Sequence, residues 1–395
     1  MKITISKLVI TLLIAHFVID ITSEFYHLYN IESNIRTFAM ISFSFIFFIS
    51  VLYALKKDKL TMFSESYLFL IFAFISFVIG ILLNNFNMNF LSHTFTFVMP
   101  IFVMSLGYNI ANQLSTKDNS KLIYKCMNFI YYYSIITVLF FRIAVSKGIM
   151  SYGAIEAFGL FTATVYFIYN KSFVKAFIGL TFIAIAGKRF LILITITVVL
   201  YYMLMLIKKN KKYLFSAVIL STLTILFFTY LYVKTNILDR FKLILKFNFS
   251  DMDSMLVATG GRSREVLQII NYLNENIFLW IFGGGFGSTV KITDGLYRHF
   301  SHFTPIGYTL VYGIIFTILI YYFFVKEIFF KNNISQYNNN NLYWFKLVFV
   351  GLFVSTFFNS PSFFDSKFWF FYGIVKYYNS NIDNQMKFIK HDEKQ

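Results

Sequence analysis

Long apolar runs separated by short polar connections fill nearly the whole chain. Runs able to cross a hydrocarbon core of about 30 Å lie near residues 6–22, 37–55, 67–84, 94–113, 122–142, 157–170, 174–187, 190–207, 213–233, 304–325, 342–358 and 367–379. Backbone polar groups in lipid must be satisfied within the protein, so each run predicts a helix. The expectation is an all-α polytopic membrane protein, one integral membrane domain over 1–395 with about twelve transmembrane helices. Only the segment 234–303 is both long and polar enough to leave the membrane, and it predicts a large outward loop containing short helices.

With 58% hydrophobic, 22% aromatic and 13% charged residues, the composition excludes a water-soluble globule. The net charge of +17 is mainly a topological label rather than a sign of nucleic-acid binding. Lysines cluster at alternate connections: Lys56, Lys57 and Lys59; Lys117, Lys121 and Lys125; Lys171 and Lys175; Lys208, Lys209, Lys211 and Lys212; Lys326 and Lys331. The positive-inside rule makes these connections and both termini cytoplasmic. The connections 23–36, 85–93, 143–156, the Gly187–Arg189 turn, 234–303 and 359–366 then face outward, so Gly261 and Phe286 should lie outside and Gln336 inside. The first apolar run lacks a small-residue cleavage site and reads as the first span. Cys126, the single cysteine, forms no internal disulfide.

All seven arginines (Arg36, Arg142, Arg189, Arg240, Arg262, Arg264, Arg298) fall in or beside the outward set. Arg36 and Arg240 read as helix-end groups that snorkel to headgroups. Guanidinium suits planar, bidentate recognition of phosphate or carboxylate, so the outer face is expected to bind an anion.

Within the loop, 236–247 reads as an amphipathic interfacial helix. Val266, Leu267, Ile269, Ile270 and Leu273 recur at helical spacing, with Gly260, Gly261 and Ser263 around Arg262 at the front. Free N–H groups and the positive dipole end, with Arg262 and Arg264 beside them, predict an anion site. FGGGFGS, with Gly283, Gly284, Gly285 and Gly287, reads as a tight turn or as an N–H nest for phosphate, and is not counted as a site. Thr304 and Pro305 are expected to open the next span, with His302 just outside it as either a surface polar residue or a proton acceptor. His16 and Asp20, one helical turn apart, offer a proton relay or a path to water. Asp251 and Asp253 read as a solvated loop or as part of a divalent-cation site. No required metal and no cofactor are expected.

GKRFLIL at 187–193, GGRSREVLQII followed by FGGGFGS, and SHFTPIGYTLVYGII together resemble the Wzy-type O-antigen and capsule polymerases and, more distantly, the O-antigen ligases. The resemblance puts Arg189 on an arginine motif, Arg262 on a Gly-Arg helix start, His302 on the family histidine and Gly313 on its glycine; Phe303 replaces the usual asparagine. It covers most of the chain through topology and 187–314 through motifs. It implies a GT-C-like glycosyltransferase in the bacterial cytoplasmic (inner) membrane that joins repeat units carried on undecaprenyl pyrophosphate. The loop 234–303 would then be periplasmic. Arg189, Arg262, Arg264 and Arg298 would hold the pyrophosphate, and His302, with Arg262, would be catalytic. The implied partners are the lipid-linked oligosaccharide, membrane lipids and a chain-length regulator protein. A lipid-linked oligosaccharide flippase and an O-antigen ligase remain the alternatives.

Overall fold

The computed structural model describes residues 4–28, 35–57, 60–149, 155, 157–209, 211, 262–293, 296–298, 301–330, 342–358 and 366–392. The run at 213–233, the stretch 236–247 with Arg240, Asp251 and Asp253, Gly260 and Gly261, and Gln336 lie outside them. The helices are α1 Ile5–Leu28, α2 Ile35–Lys57, α3 Ser64–Leu82, α4 Met88–Leu114, α5 Lys117–Ser146, α6 Phe158–Tyr169, α7 Phe173–Ala186 and α8 Arg189–Lys209. They continue with α9 Arg262–Asn274, α10 Ile277–Phe282, α11 Thr304–Val325, a π turn at Lys326–Phe330, α12 Tyr343–Ser355 and α13 Ser366–Asp392. Among the described residues a short antiparallel hairpin, β1 Val290–Thr293 with β2 Leu296–Arg298, is the exception to an all-helical architecture.

Every apolar run within the described residues is thus a helix. Six helices among these residues are long and apolar enough to cross a membrane: Ile5–Ser23, Ser64–Leu82, Met88–Leu114, Lys117–Ser146, Phe190–Lys208 and Thr304–Phe329. Phe45–Lys56, α6, α7 and α12 supply shorter apolar helices. On α3, Leu70, Ile71, Phe74 and Leu82 are exposed while Phe69, Phe72 and Ile79 are buried. Both faces are apolar, as a helix between lipid and a protein core requires. By contrast, α6 is buried throughout Phe158–Ile168. At 1.5 Å per residue its length is only about 18 Å, so it is an internal helix rather than a full span.

Helix ends meet at two faces of the bundle. On one face, Asn119 at the start of α5 donates to Ser6 at the start of α1 at 3.2 Å. On that same face a charged cluster joins α3, the π turn and α13. Lys376 Nζ lies 2.7 Å from Glu65 Oε1 and 3.8 Å from Glu327 Oε1, and Tyr372 donates to Glu65 at 2.6 Å. Asn379 Nδ2 donates to Glu327 Oε2 at 2.6 Å and its Oδ1 accepts from Lys346 of α12 at 3.3 Å. On the opposite face, Arg142 near the end of α5 donates to the Ile185 carbonyl in the last turn of α7, capping that helix end. Gly187 then takes the left-handed conformation, φ 77°, to turn the chain into α8.

The run predicted as one span at 304–325 is broken. Gly313 has φ 82° and ψ 166°, and its missing Cβ leaves room for the Ile281 carbonyl and the Phe282 backbone. Thr309 and Thr317 side chains meet at 3.2 Å, and the Tyr308 and Phe316 rings at 5.7 Å, although residues eight apart on a straight helix are about 12 Å apart along its axis. The two arms of α11 therefore fold toward each other. The Thr304 N–H and the Tyr321 hydroxyl both donate to Thr356, at 2.9 Å each, where a straight helix would separate them by about 26 Å.

The glycine loop after α10 fills this break. Gly284 and Gly285 N–H groups donate to the Leu310 and Val311 carbonyls, at 2.7 and 3.1 Å, satisfying acceptors that the break leaves open. Phe286 N–H donates to Ser76 of α3, Gly287 N–H to His93 Nδ1 of α4, and Asn85 and Asn87 side chains return bonds to Gly284 and Gly287. Phe286 is buried against Phe90, Phe97 and Tyr312. The loop is thus drawn into the bundle, where its backbone and one aromatic ring complete the core.

Candidate functional site

The helix expected behind Arg262 is α9, and its buried stripe runs through Glu265, Ile269 and Leu273 at four-residue spacing. Ile269 and Leu273 are fully buried, which anchors α9 and fixes the rotation at which its first turn is presented. Tyr272, on the adjoining face, approaches Gly284 and so joins α9 to the glycine loop. Burial first, and the Glu275 carboxylate second, raise the pKa of Tyr272, so it is a neutral hydroxyl at neutral pH.

Two helix N-termini converge at this point. Arg262 begins α9, and His302 stands two residues before Thr304, the first residue of α11. Glu265 links them: its Oε2 lies 2.7 Å from His302 Nδ1 and accepts the His302 backbone N–H at 3.4 Å. Arg262 Nη1 donates to the Phe358 carbonyl beyond α12, and Phe303 packs on Phe357 at 5.9 Å. The folded arms of α11 bring His302 to the end of α12, so the histidine is held by the bundle rather than carried on a free outer loop. The helix start falls one residue earlier than expected, with Phe303 in the cap position and Pro305 in the first turn. Ser301 accepts from the Phe303 N–H at 3.1 Å and shapes this entry.

Chemically, the meeting point combines a guanidinium, two positive dipole ends and an imidazole backed by a carboxylate. His302 keeps 24% of its side chain exposed while Glu265 keeps 10%, so the imidazole has a face open to a reactant and the carboxylate is largely covered.

The other expected site residues divide differently. Arg264 is exposed on α9, two positions from Arg262, and residues so spaced do not share a helix face. Arg189 opens α8 and Arg298 closes β2 by their backbones, with both side chains outside the description. The glycine-loop N–H groups named above all donate to the protein itself, which favours the turn over the phosphate nest. Among the described residues no three His, Cys, Asp or Glu side chains gather as metal ligands would.

Sequence reasoning missed Glu265 and Lys367. Glu265 had one readable signal, a carboxylate at the head of the apolar stripe Glu265–Ile269–Leu273, where an apolar residue would fit the period. Lys367 had none. It lies 3.6 Å from Asp20 and over the rings of Phe17 and Phe158, so Asp20 answers a lysine from the far end of the chain as well as standing one turn from His16. The arginine bias is also less exclusive than the segregation suggests, because Lys147, Lys188 and Lys291 share the connections assigned outward. No family model, curated protein or solved structure matches this chain.

Proposed function

We propose that this chain is a membrane glycosyltransferase that polymerises oligosaccharide repeat units carried on undecaprenyl pyrophosphate, working at the outer face of a bacterial cytoplasmic membrane. Its main support is the meeting of the α9 and α11 N-termini, with Arg262 on one and the Glu265-backed His302 at the other. A lipid-diphosphate donor needs apolar surroundings for its tail and fixed positive charge for its phosphates, and a bundle of membrane-spanning helices with an outward 234–303 segment would provide both. Donors carried on lipid suit an outer-face transferase because nucleotide sugars are not expected there.

The proposed reaction is a single inverting displacement. The acceptor hydroxyl oxygen bonds to the donor's anomeric carbon as the bond from that carbon to the diphosphate oxygen breaks. The bonding pair leaves with the polyprenyl diphosphate, and the hydroxyl proton passes to His302. Charge grows on the leaving group, so Arg262 and the α9 dipole act most strongly in the transition state, with Arg189, Arg264 and Arg298 as further contacts to the pyrophosphate. Neither a metal nor a cofactor is required. A chain-length regulator would dock beside the bundle.

The test is purified protein in nanodiscs supplied with lipid-linked oligosaccharide extracted from cells lacking this chain. A ladder of lengthened products supports polymerisation; product appearing only on an added lipid A-core acceptor identifies a ligase instead. A transporter reading has its own observation, the charged groups Lys367, Asp20, Glu65, Glu327 and Lys376 set between helices. Movement of the labelled lipid-linked oligosaccharide across proteoliposomes without any new glycosidic bond would favour it.

A further inference from the structure

We infer that Glu265 is the positioning residue of the transfer, holding His302 with its proton on Nδ1 so that Nε2 presents its lone pair to the acceptor hydroxyl. The inference rests on the glycosyl-transfer reading for its catalytic part and on geometry alone for its structural part. One carboxylate oxygen, Oε2, receives both the His302 backbone N–H at 3.4 Å and the ring Nδ1 at 2.7 Å. An ionised carboxylate only accepts hydrogen bonds. A lone pair on Nδ1 at that distance would face another lone pair, so the neutral ring must carry its proton there. Two attachments to a single oxygen also fix the ring's rotation, because backbone and side chain of His302 are tied to the same atom. Burial of Ile269 and Leu273 holds α9 in place and thereby orients the carboxylate in turn.

The spacing adds a second consequence. Arg262 and Glu265 stand at i and i+3 on α9, neighbours on one helix face with about 5–6 Å between their Cβ atoms. Leaving-group contact and base orientation are therefore set by one rigid turn. A sugar whose diphosphate meets Arg262 can offer its anomeric carbon toward the imidazole that Glu265 orients.

Histidine-selective nitrogen-15 labelling reads the tautomer of His302, identified by the signal that His302→Asn removes. The wild-type protein should show the Nδ1-protonated ring. Glu265→Ala should shift the population toward the Nε2-protonated form, and Glu265→Gln, which keeps a side-chain acceptor, should shift it less. In the polymerisation assay with extracted lipid-linked oligosaccharide, Glu265→Ala should lose about 10²–10⁴-fold in kcat, as expected when a base is misoriented, with KM for the donor unchanged. An unchanged tautomer in Glu265→Ala overturns the inference, as does a raised KM with intact kcat. If the wild type makes no product while the tautomer still shifts, the transfer reading fails and the Glu265–His302 geometry stands.

Discussion

Two charged clusters occupy this bundle, and they are built in opposite ways. Around Lys376 the ionic groups close on one another: Glu65 is contacted by Lys376 and Tyr372, and Glu327 by Lys376 and Asn379, across three separate elements. Around His302 the groups come from helix ends, and the imidazole keeps an open face. A cluster whose partners satisfy it internally has little left with which to bind a ligand, and its removal should cost stability. A cluster backed on one side and open on the other costs little to remove and can do chemistry. Buried charge alone therefore does not mark function; exposure of the reactive group to a ligand matters as well.

The largest expected effect lies in the closed cluster. Lys376→Ala leaves Glu65 buried without its ammonium and should destabilise the protein by about 3–5 kcal/mol, read as a lower unfolding temperature in detergent. Pairing it with Glu65→Leu should recover most of that loss. Failure of the pair to recover stability would break the comparison on this side.

On the open side, His302→Ala should lower polymerisation by about 10²–10⁴-fold while unfolding temperature and donor binding stay near wild type. A fall in stability as large as that of Lys376→Ala would make His302 another packing element and erase the contrast.

Arg262→Lys keeps the charge but loses the planar fork, and the loss of a charge-assisted bond of about 1.5–3 kcal/mol predicts a fall of roughly 10–100-fold in kcat/KM. Normal turnover from this variant at normal protein level would remove Arg262 from the leaving-group contact.

The smallest effect should come from Asn87→Ala. Asn87 caps α4 by accepting the Asn89 and Phe90 N–H groups and holds the glycine loop through Gly287, and cap loss costs about 1 kcal/mol. Unfolding temperature should drop slightly with polymerisation nearly intact. A large fall in rate would show that the loop transmits strain to His302.

Helix positions could be read from composition alone because a backbone in lipid has few ways to satisfy itself, and α1 to α8 begin and end close to the apolar runs. Arg262 at a helix start and His302 before the next helix were equally local matters, governed by glycine, proline and the apolar period. Hydropathy cannot register that a helix folds back on itself. Gly313 sits inside a continuous apolar run, and only the carbonyl of Ile281 and the glycine loop packed against it decide that α11 breaks there. The same limit hid Glu265. Its carboxylate lies thirty-seven positions from His302, and a first-turn acid is equally at home interacting with its own helix dipole. Sequence by itself determined which segments are helical and which residue types stand at their ends, since those follow from short-range periodicity and capping. Tertiary structure alone decided that α11 folds, that Phe286 is drawn into the core and that His302 meets Glu265, because each depends on packing between elements far apart in the chain.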